Sequence, residues 1–304
     1  MAEISIGGAV NEGFSLIRRH PGAVLLWGLT QVVLFAVAIA VYAPFYVAVA
    51  AAARSGGGAA ALQANPQLMQ TQSLSYLVNI IQVVISSIVW CAVFRAVLHP
   101  EQGRFGFLRL SAPEFFVTIL LIGGNIAVVF ALILPIIVFA IVIGVLVALH
   151  VIWAAVIVGV AAVVALIVAL LYFLLRFSMV GPMMVDDGKF HLGESWTLTR
   201  GHVGSLFMIG LLLFVLALVA EIVLGIVFVA LGVGGLAALA GGLRNVPGLF
   251  QEPPQTVLAR IGPLFAVAAV IWVPFAGALA AVMAAPWARA YRDLQPPDLA
   301  ATFA

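Results

Sequence analysis

Long runs of apolar residues alternate with short polar stretches along the 304-residue chain. A run of about 20 apolar residues can cross the ~30 Å hydrocarbon core of a bilayer as a helix rising ~1.5 Å per residue. The pattern predicts a first span from Gly22 to Ala53, kinked near Pro44, and a second from Leu74 to Leu98. The chain is then apolar from Glu114 to Leu175, too long for one crossing and suited to two long tilted ones. The turn between them falls between Gly144 and Trp153, where His150 is the only ionisable residue. Pro135 removes a backbone donor and should kink the third span. The fifth span runs from Gly204 to Leu231 and the sixth from Ile261 to Trp287. The expected fold class is therefore all-α, a polytopic membrane protein of six transmembrane helices in one membrane domain, residues 1–304.

Two polar stretches that precede spans read alike. "NEGFSLIRRHPGAVL" (Asn11–Leu25) and "GESWTLTRGHVGSLF" (Gly193–Phe207) align at an offset of 182 positions. Glu12 then meets Glu194, Phe14 meets Trp196, Arg18 meets Arg200, His20 meets His202 and Gly22 meets Gly204. A fixed-offset match is the mark of duplicated architecture. A fainter third copy is "GRFGFLRLSAPEFF", Gly103–Phe116. The predicted unit is a cytoplasmic interfacial amphipathic helix followed by a two-span hairpin, present two or three times. It divides the chain into 1–102, a middle hairpin at 103–182, and 183–304. In the first copy Ile6, Val10, Phe14 and Ile17 fall on one helical face, with Asn11, Glu12, Ser15, Arg18 and Arg19 on the rest. Such a helix lies in the interface with its aromatic at headgroup depth and its bases toward phosphates. The glycine of each His-x-Gly is expected to permit the bend into the span.

Composition and charge sharpen this reading. Mean hydropathy is +1.26, and charged residues make up 8% of the chain, outside the range of soluble domains. With both termini on one face, that face holds Arg18, Arg19, Arg95, Arg104, Arg109, Arg176, Lys189, Arg200, Arg289 and Arg292. The other holds Arg54, Arg244 and Arg260. Short loops rich in Lys and Arg stay cytoplasmic, so both termini are expected inside. The preference for Arg over Lys and the richness in Ala and Val suggest a bacterium with GC-rich coding, and the expected location is its inner membrane. The "AVAAAR" near Ala48 imitates a signal-cleavage site, but the apolar stretch before it is too long for a signal peptide. The single cysteine, Cys91, allows no disulfide framework.

Candidate chemistry is sparse. Glu221 is the only carboxylate inside an expected span, and Asn125 and Gln31 are intramembrane amides. Ionisable groups at such depth face the bundle or a watery cavity, so these three form a candidate intramembrane polar site, the alternative being wetting near the outer interface or interhelical hydrogen bonding. The offset pairs Glu221 with Ile39 and Gln31 with Leu213, so the duplicated residues are interfacial rather than intramembrane. Phe94-Arg95, Arg176-Phe177 and Trp287 with Arg289 end the even-numbered spans and are expected to anchor in the headgroups. Gly277, Ala281 and Ala285 place small residues every fourth position, allowing close helix approach. Gly232–Gly262 reads as a long non-spanning segment, surface-lying or a lid. "VDDGK", Val185–Lys189, reads as a turn rather than a metal site, and no HExxH, GxSxG or Walker pattern occurs.

The stretch "GPMMVDDGKFHLGESWTLTRGHVGSLF" resembles the membrane-domain family named for its fusion to glycerophosphoryl diester phosphodiesterases, and related six-span bacterial membrane proteins. Asp187, Gly188, Glu194, Ser195, Trp196, Leu198, Arg200 and Gly201 carry the likeness. It implies a membrane module. The soluble catalytic barrel of that fusion has no counterpart in the chain, so phosphodiesterase activity is not expected of it. The expected role is a non-enzymatic membrane-organising module that binds lipids and a protein partner or second copy, without catalytic residues, metal, cofactor or nucleic acid. The alternative is a transporter or channel for a lipid-like or small hydrophobic solute.

Overall fold

The computed structural model describes residues 4–54, 66–249 and 254–295. Among these residues every regular element is helical, and six helices are long and apolar enough to cross a membrane. The chain is a multi-pass α-helical membrane protein. Lipid offers no partners for backbone polar groups, so a spanning segment must satisfy them along its own helix.

The spans are α2 (Pro21–Arg54), α3 (Pro66–Leu98), α4 (Ala112–Ala148), α5 (Ile152–Arg176), α8 (Val203–Ala240) and α9 (Pro254–Leu294). Outside the spans lie α1 (Ile6–Arg19), α6 (Val180–Asp187) and α7 (Leu192–Leu198). The turn expected between Gly144 and Trp153 is found at 149–151, where His150 adopts a left-handed φ of 58°. Helix α4 continues unbroken past Pro135.

Two expectations need correction. Gly232–Gly262 is not a long loop, because α8 continues to Ala240 and α9 begins at Pro254. A short turn of 3-10 helix (Leu243–Asn245) and one helical turn (Val246–Leu249) lie between, and residues 250–253 are outside the described residues. The "GVGGLAALA" segment carries no proline, and its run of apolar residues lets the span continue through its glycines. The second correction is at Val185–Lys189, expected as a turn: its first three residues belong to α6. "VGPMMVDD" is a helix with Val180, Pro182, Met183, Met184 and Val185 buried, ended by Gly188 at φ 73°.

Each span packs on the next in sequence, and α9 closes the ring against α2 while also touching α3. The closest approach is between α2 and α9. A Cβ on Gly28 would lie 1.8 Å from the Val273 carbonyl oxygen, and one on Gly277 would lie 1.9 Å from that of Val24. Backbone meets backbone there, which is the use expected of Gly277. Both hydrophobic cores lie toward one end of the ring. The first joins Leu16, Val24, Trp27, Val93, Met184 and Ala285, and the second joins Val10, Met179, Leu206, Val282 and Tyr291. Away from this end the helices splay: Glu114 and Val117 are the buried residues of α4. Lipid tails are as apolar as leucine, so such faces need no protein cover.

Candidate functional site: the basic face

The packed end of the ring carries α1, α6, α7 and the 99–111 connection, and both ends of the described chain lie here, with Ile4 and Leu294 in one core. Its geometry is organised by three arginines, one at the end of each even-numbered span.

Arg95 ends α3. It is 4% exposed, donates to the Phe107 carbonyl oxygen at 2.7 Å and pairs with Glu114, itself 2% exposed. Glu114 also accepts from the Ser111 backbone N–H at 3.0 Å, closing a capping box at the start of α4. The pair thus ties the end of one span to the start of the next through the 104–107 turn. Phe105 and Phe107 hold left-handed φ values of 51° and 64° in that turn. This presents the Gly106 carbonyl to the Trp27 indole N–H at 2.8 Å and seats the Phe107 ring edge-on to His20 at 5.3 Å.

Arg289, in α9, reaches Glu12 of α1 at 3.9 Å and Asp293 at 3.0 Å. Glu12 also pairs with Arg19. Glu12, expected on the polar side of α1, is buried because it joins the contact with α9, while the Phe14 ring is exposed and faces outward. Gly13 beside it packs so tightly that a Cβ would come within 2.6 Å of Val282 Cα. Arg18 is exposed.

Arg176 ends α5 and is 5% exposed. Its guanidinium lies 4.2 Å from the Trp196 ring centroid and 5.8 Å from that of Tyr172. It donates to the Thr199 hydroxyl at 3.3 Å. The Ser195 hydroxyl donates to the Arg176 carbonyl oxygen at 2.9 Å. Trp196 is half-buried among Tyr172, Phe173 and Phe177. Arg95 and Arg176 are therefore not free anchors. They are buried fasteners of the corners, a role that span-end position alone cannot distinguish from snorkelling.

The echoed residues behave differently in the two copies. Helix α1 has 14 residues and α7 has seven. Glu194 turns away from Arg176 and meets His191 Nδ1 at 2.8 Å, remaining exposed. His20 is half-buried against Phe107, whereas His202 precedes α8 with no side-chain cap bond. Gly22 and Gly204 sit inside helices with open space around them, so neither makes the bend. The chain bends at His20 (φ −131°) and at Gly201 (φ 87°) instead. Arg200 is exposed.

A second polar knot joins α6 to the ends of α3 and α9. Asp186 accepts from the Tyr291 hydroxyl at 3.0 Å and from Gln295 Nε2 at 2.9 Å, and faces His99 Nε2 at 3.2 Å. Spacing does not show this knot, because Tyr291 and Gln295 lie more than 100 positions from Asp186, and His99 lies far from it on the other side. No group of three metal-ligating side chains occurs among the described residues.

Asp187, the neighbour of Asp186, holds His191 Nε2 from one side while Glu194 holds Nδ1 from the other. Partial burial disfavours the imidazolium, but the two carboxylates more than offset it, by hydrogen bonding and by charge, so His191 titrates above its ordinary value. A raised pKa in the folded state means the stabilisation is complete below the unfolded value of about 6.5 and is lost as pH rises through the folded value. Thermal unfolding should therefore show wild type losing its advantage over His191→Gln as pH climbs through that window. Parallel pH profiles for the two proteins would contradict the assignment.

The intramembrane candidates are not brought together. Glu221 is exposed on α8, Asn125 is exposed on α4 and Gln31 is half-buried on α2, three helices that do not pack substantially on one another. A polar contact does occur between spans, but elsewhere: the buried Ser87 hydroxyl lies 2.6 Å from that of Thr118.

Compared with known proteins, the chain matches no family model, no curated protein and no solved structure.

Proposed function

We propose that the protein is a non-enzymatic module of a bacterial inner membrane whose basic, cytoplasmic face binds anionic lipid headgroups and so organises the surrounding bilayer. The observation that carries this reading is the division of labour among the bases. Arg95 is paired inside its corner and Arg176 is buried beneath Trp196, while Arg18, Arg104, Arg109, Lys189 and Arg200 remain exposed on the same end of the ring. Between Arg104 and Arg109, Phe105 is 86% exposed and Leu110, just beyond, is 85% exposed. Bases flanking exposed apolar side chains suit a surface where acyl chains end and phosphates begin. Each basic residue held near an anionic leaflet contributes about 1 kcal/mol. The resemblance to the phosphodiesterase-associated membrane domains belongs to the same reading, as implying a membrane module without the hydrolase.

Reconstitution into bilayers of mixed phosphatidylcholine and phosphatidylglycerol tests it. Spin-labelled phosphatidylglycerol should be enriched beside the wild-type protein, less so at high salt. The enrichment should largely vanish when Arg18, Arg104, Arg109 and Arg200 are all changed to glutamine. Unchanged selectivity in that variant would remove the proposal. Orientation is read separately, by labelling Lys189→Cys with an impermeant thiol reagent in inverted vesicles. Cys91 is buried and should stay silent.

A further inference from the structure

The three corner arginines differ in one respect. Arg95 has Glu114, and Arg289 has Glu12 and Asp293, but no carboxylate pairs with Arg176 among the described residues. Its Nε is buried without a hydrogen-bond partner, as is that of Arg289, but Arg289 has two carboxylates beside it and Arg176 has none. The register of the duplicated stretches makes the omission specific. Glu12, the acid that answers Arg289, corresponds to Glu194, and Glu194 is turned outward to His191. A cation removed from water without a counter-ion is unfavourable, and aromatic faces offset that only in part. Trp196 and Tyr172 supply such faces.

A depression of about 680 Å³ leads along the outside of α5 to this point. It runs from Ala161 past Ala165 and Ala169 to Tyr172 and Phe173, whose rings pack on Trp196. Twelve helical residues span about 18 Å, close to the reach of much of an acyl chain. The alanines, set between Val164 and Val168, leave a shallow, open apolar trough in the span, and Tyr172 at its end has its ring centroid 5.8 Å from the buried Arg176 guanidinium, which no carboxylate answers.

We propose that the corner between α5 and α7 is a discrete binding site for an anionic phospholipid, its phosphate meeting Arg176 and one acyl chain lying in the α5 trough. The site deepens the lipid reading of the basic face and rests on it, but it differs in kind. The exposed bases act on whichever headgroups are near, whereas Arg176 takes one phosphate at one position. A guanidinium donates to phosphate through a planar fork, and such charge-assisted bonds are the strong ones. The trough is what distinguishes a lipid from a free phosphate ion.

Native mass spectrometry of the detergent-solubilised full chain provides the test, with four probes: phosphatidylglycerol, phosphatidylcholine, diacylglycerol and inorganic phosphate. Wild type should retain one phosphatidylglycerol in preference to the other three. Arg176→Gln should weaken that retention about tenfold or more, the loss expected when a charged hydrogen-bonding partner is removed. Arg176→Lys should restore part of it. Ala165→Leu with Ala169→Leu fills the trough without touching the cation, and should weaken phosphatidylglycerol binding on a protein whose thermal stability is unchanged. Equal retention of phosphatidylglycerol by wild type and Arg176→Gln would overturn the site. If Arg176→Gln does not fold, wild-type retention by the trough variant overturns it instead. Inorganic phosphate binding as tightly as the lipid would reassign the corner to a free anion. The quadruple surface variant separates the two readings, because it should lose general headgroup selectivity while keeping its single bound lipid.

Discussion

Gly28→Leu and Gly277→Leu will each separate α2 from α9 and destabilise the protein by about 3 kcal/mol or more, the upper range for overpacking. At both positions a Cβ would fall within 2 Å of a carbonyl oxygen of the opposing helix, and backbone cannot rotate aside as a side chain can. The helices would have to part. Trp27 and Val24 of α2 and Ala281, Ala284 and Ala285 of α9 would lose contact in one step, since all belong to one core. Nothing apolar is gained in return, because lipid already satisfies the faces so exposed. Thermal or detergent-induced unfolding of the purified protein measures the effect. Gly123, in α4, has no atom near its absent Cβ, and Gly123→Leu should stay within about 0.5 kcal/mol of wild type. Equal stability of the Gly277 and Gly123 variants would show that the α2–α9 crossing is not where the fold is held.

The second large effect is expected at Arg95 and Glu114. Both are buried, so removing either leaves an uncompensated charge, and Glu114→Leu or Arg95→Met should cost about 3–5 kcal/mol. The double variant should recover part of that, with a coupling energy of about 1–3 kcal/mol. Full recovery is not expected. Arg95 also satisfies the Phe107 carbonyl, and Glu114 also caps α4 through Ser111. Strict additivity in the cycle, measured by the same unfolding assay, would mean that the pair does not couple the two spans.

Much of the membrane layout could be read from the chain, and the reasons are local. A span is specified by twenty or so apolar residues that must each bond within their own helix, so hydropathy alone finds the six helices. The turn at His150 was legible because one ionisable residue interrupts an otherwise apolar run. Gly277 was legible as a close-approach residue, although its partner Gly28 was not. Glu12 was misassigned because periodicity orders residues around a helix without saying which side meets another helix. The capping box at Ser111 and Glu114 has the recognisable Ser-x-x-Glu spacing, but that spacing does not reveal the arginine on the other side of the carboxylate. Helix α6 went unread because eight residues carry too little periodic signal.

The sequence by itself determined an all-α, six-span membrane protein with most of its basic residues toward one end. Those properties depend on residues near one another in the chain. Only the tertiary structure decided which of the basic residues are free. Arg95, Arg176 and Arg200 are alike in chemistry and occupy comparable span-end positions, yet two are buried and one is exposed. The difference comes from what folds over them: an acid and a carbonyl over Arg95, an indole ring over Arg176. A charge is set by its residue type, but whether it is paired, buried or available depends on segments brought to it from elsewhere in the chain.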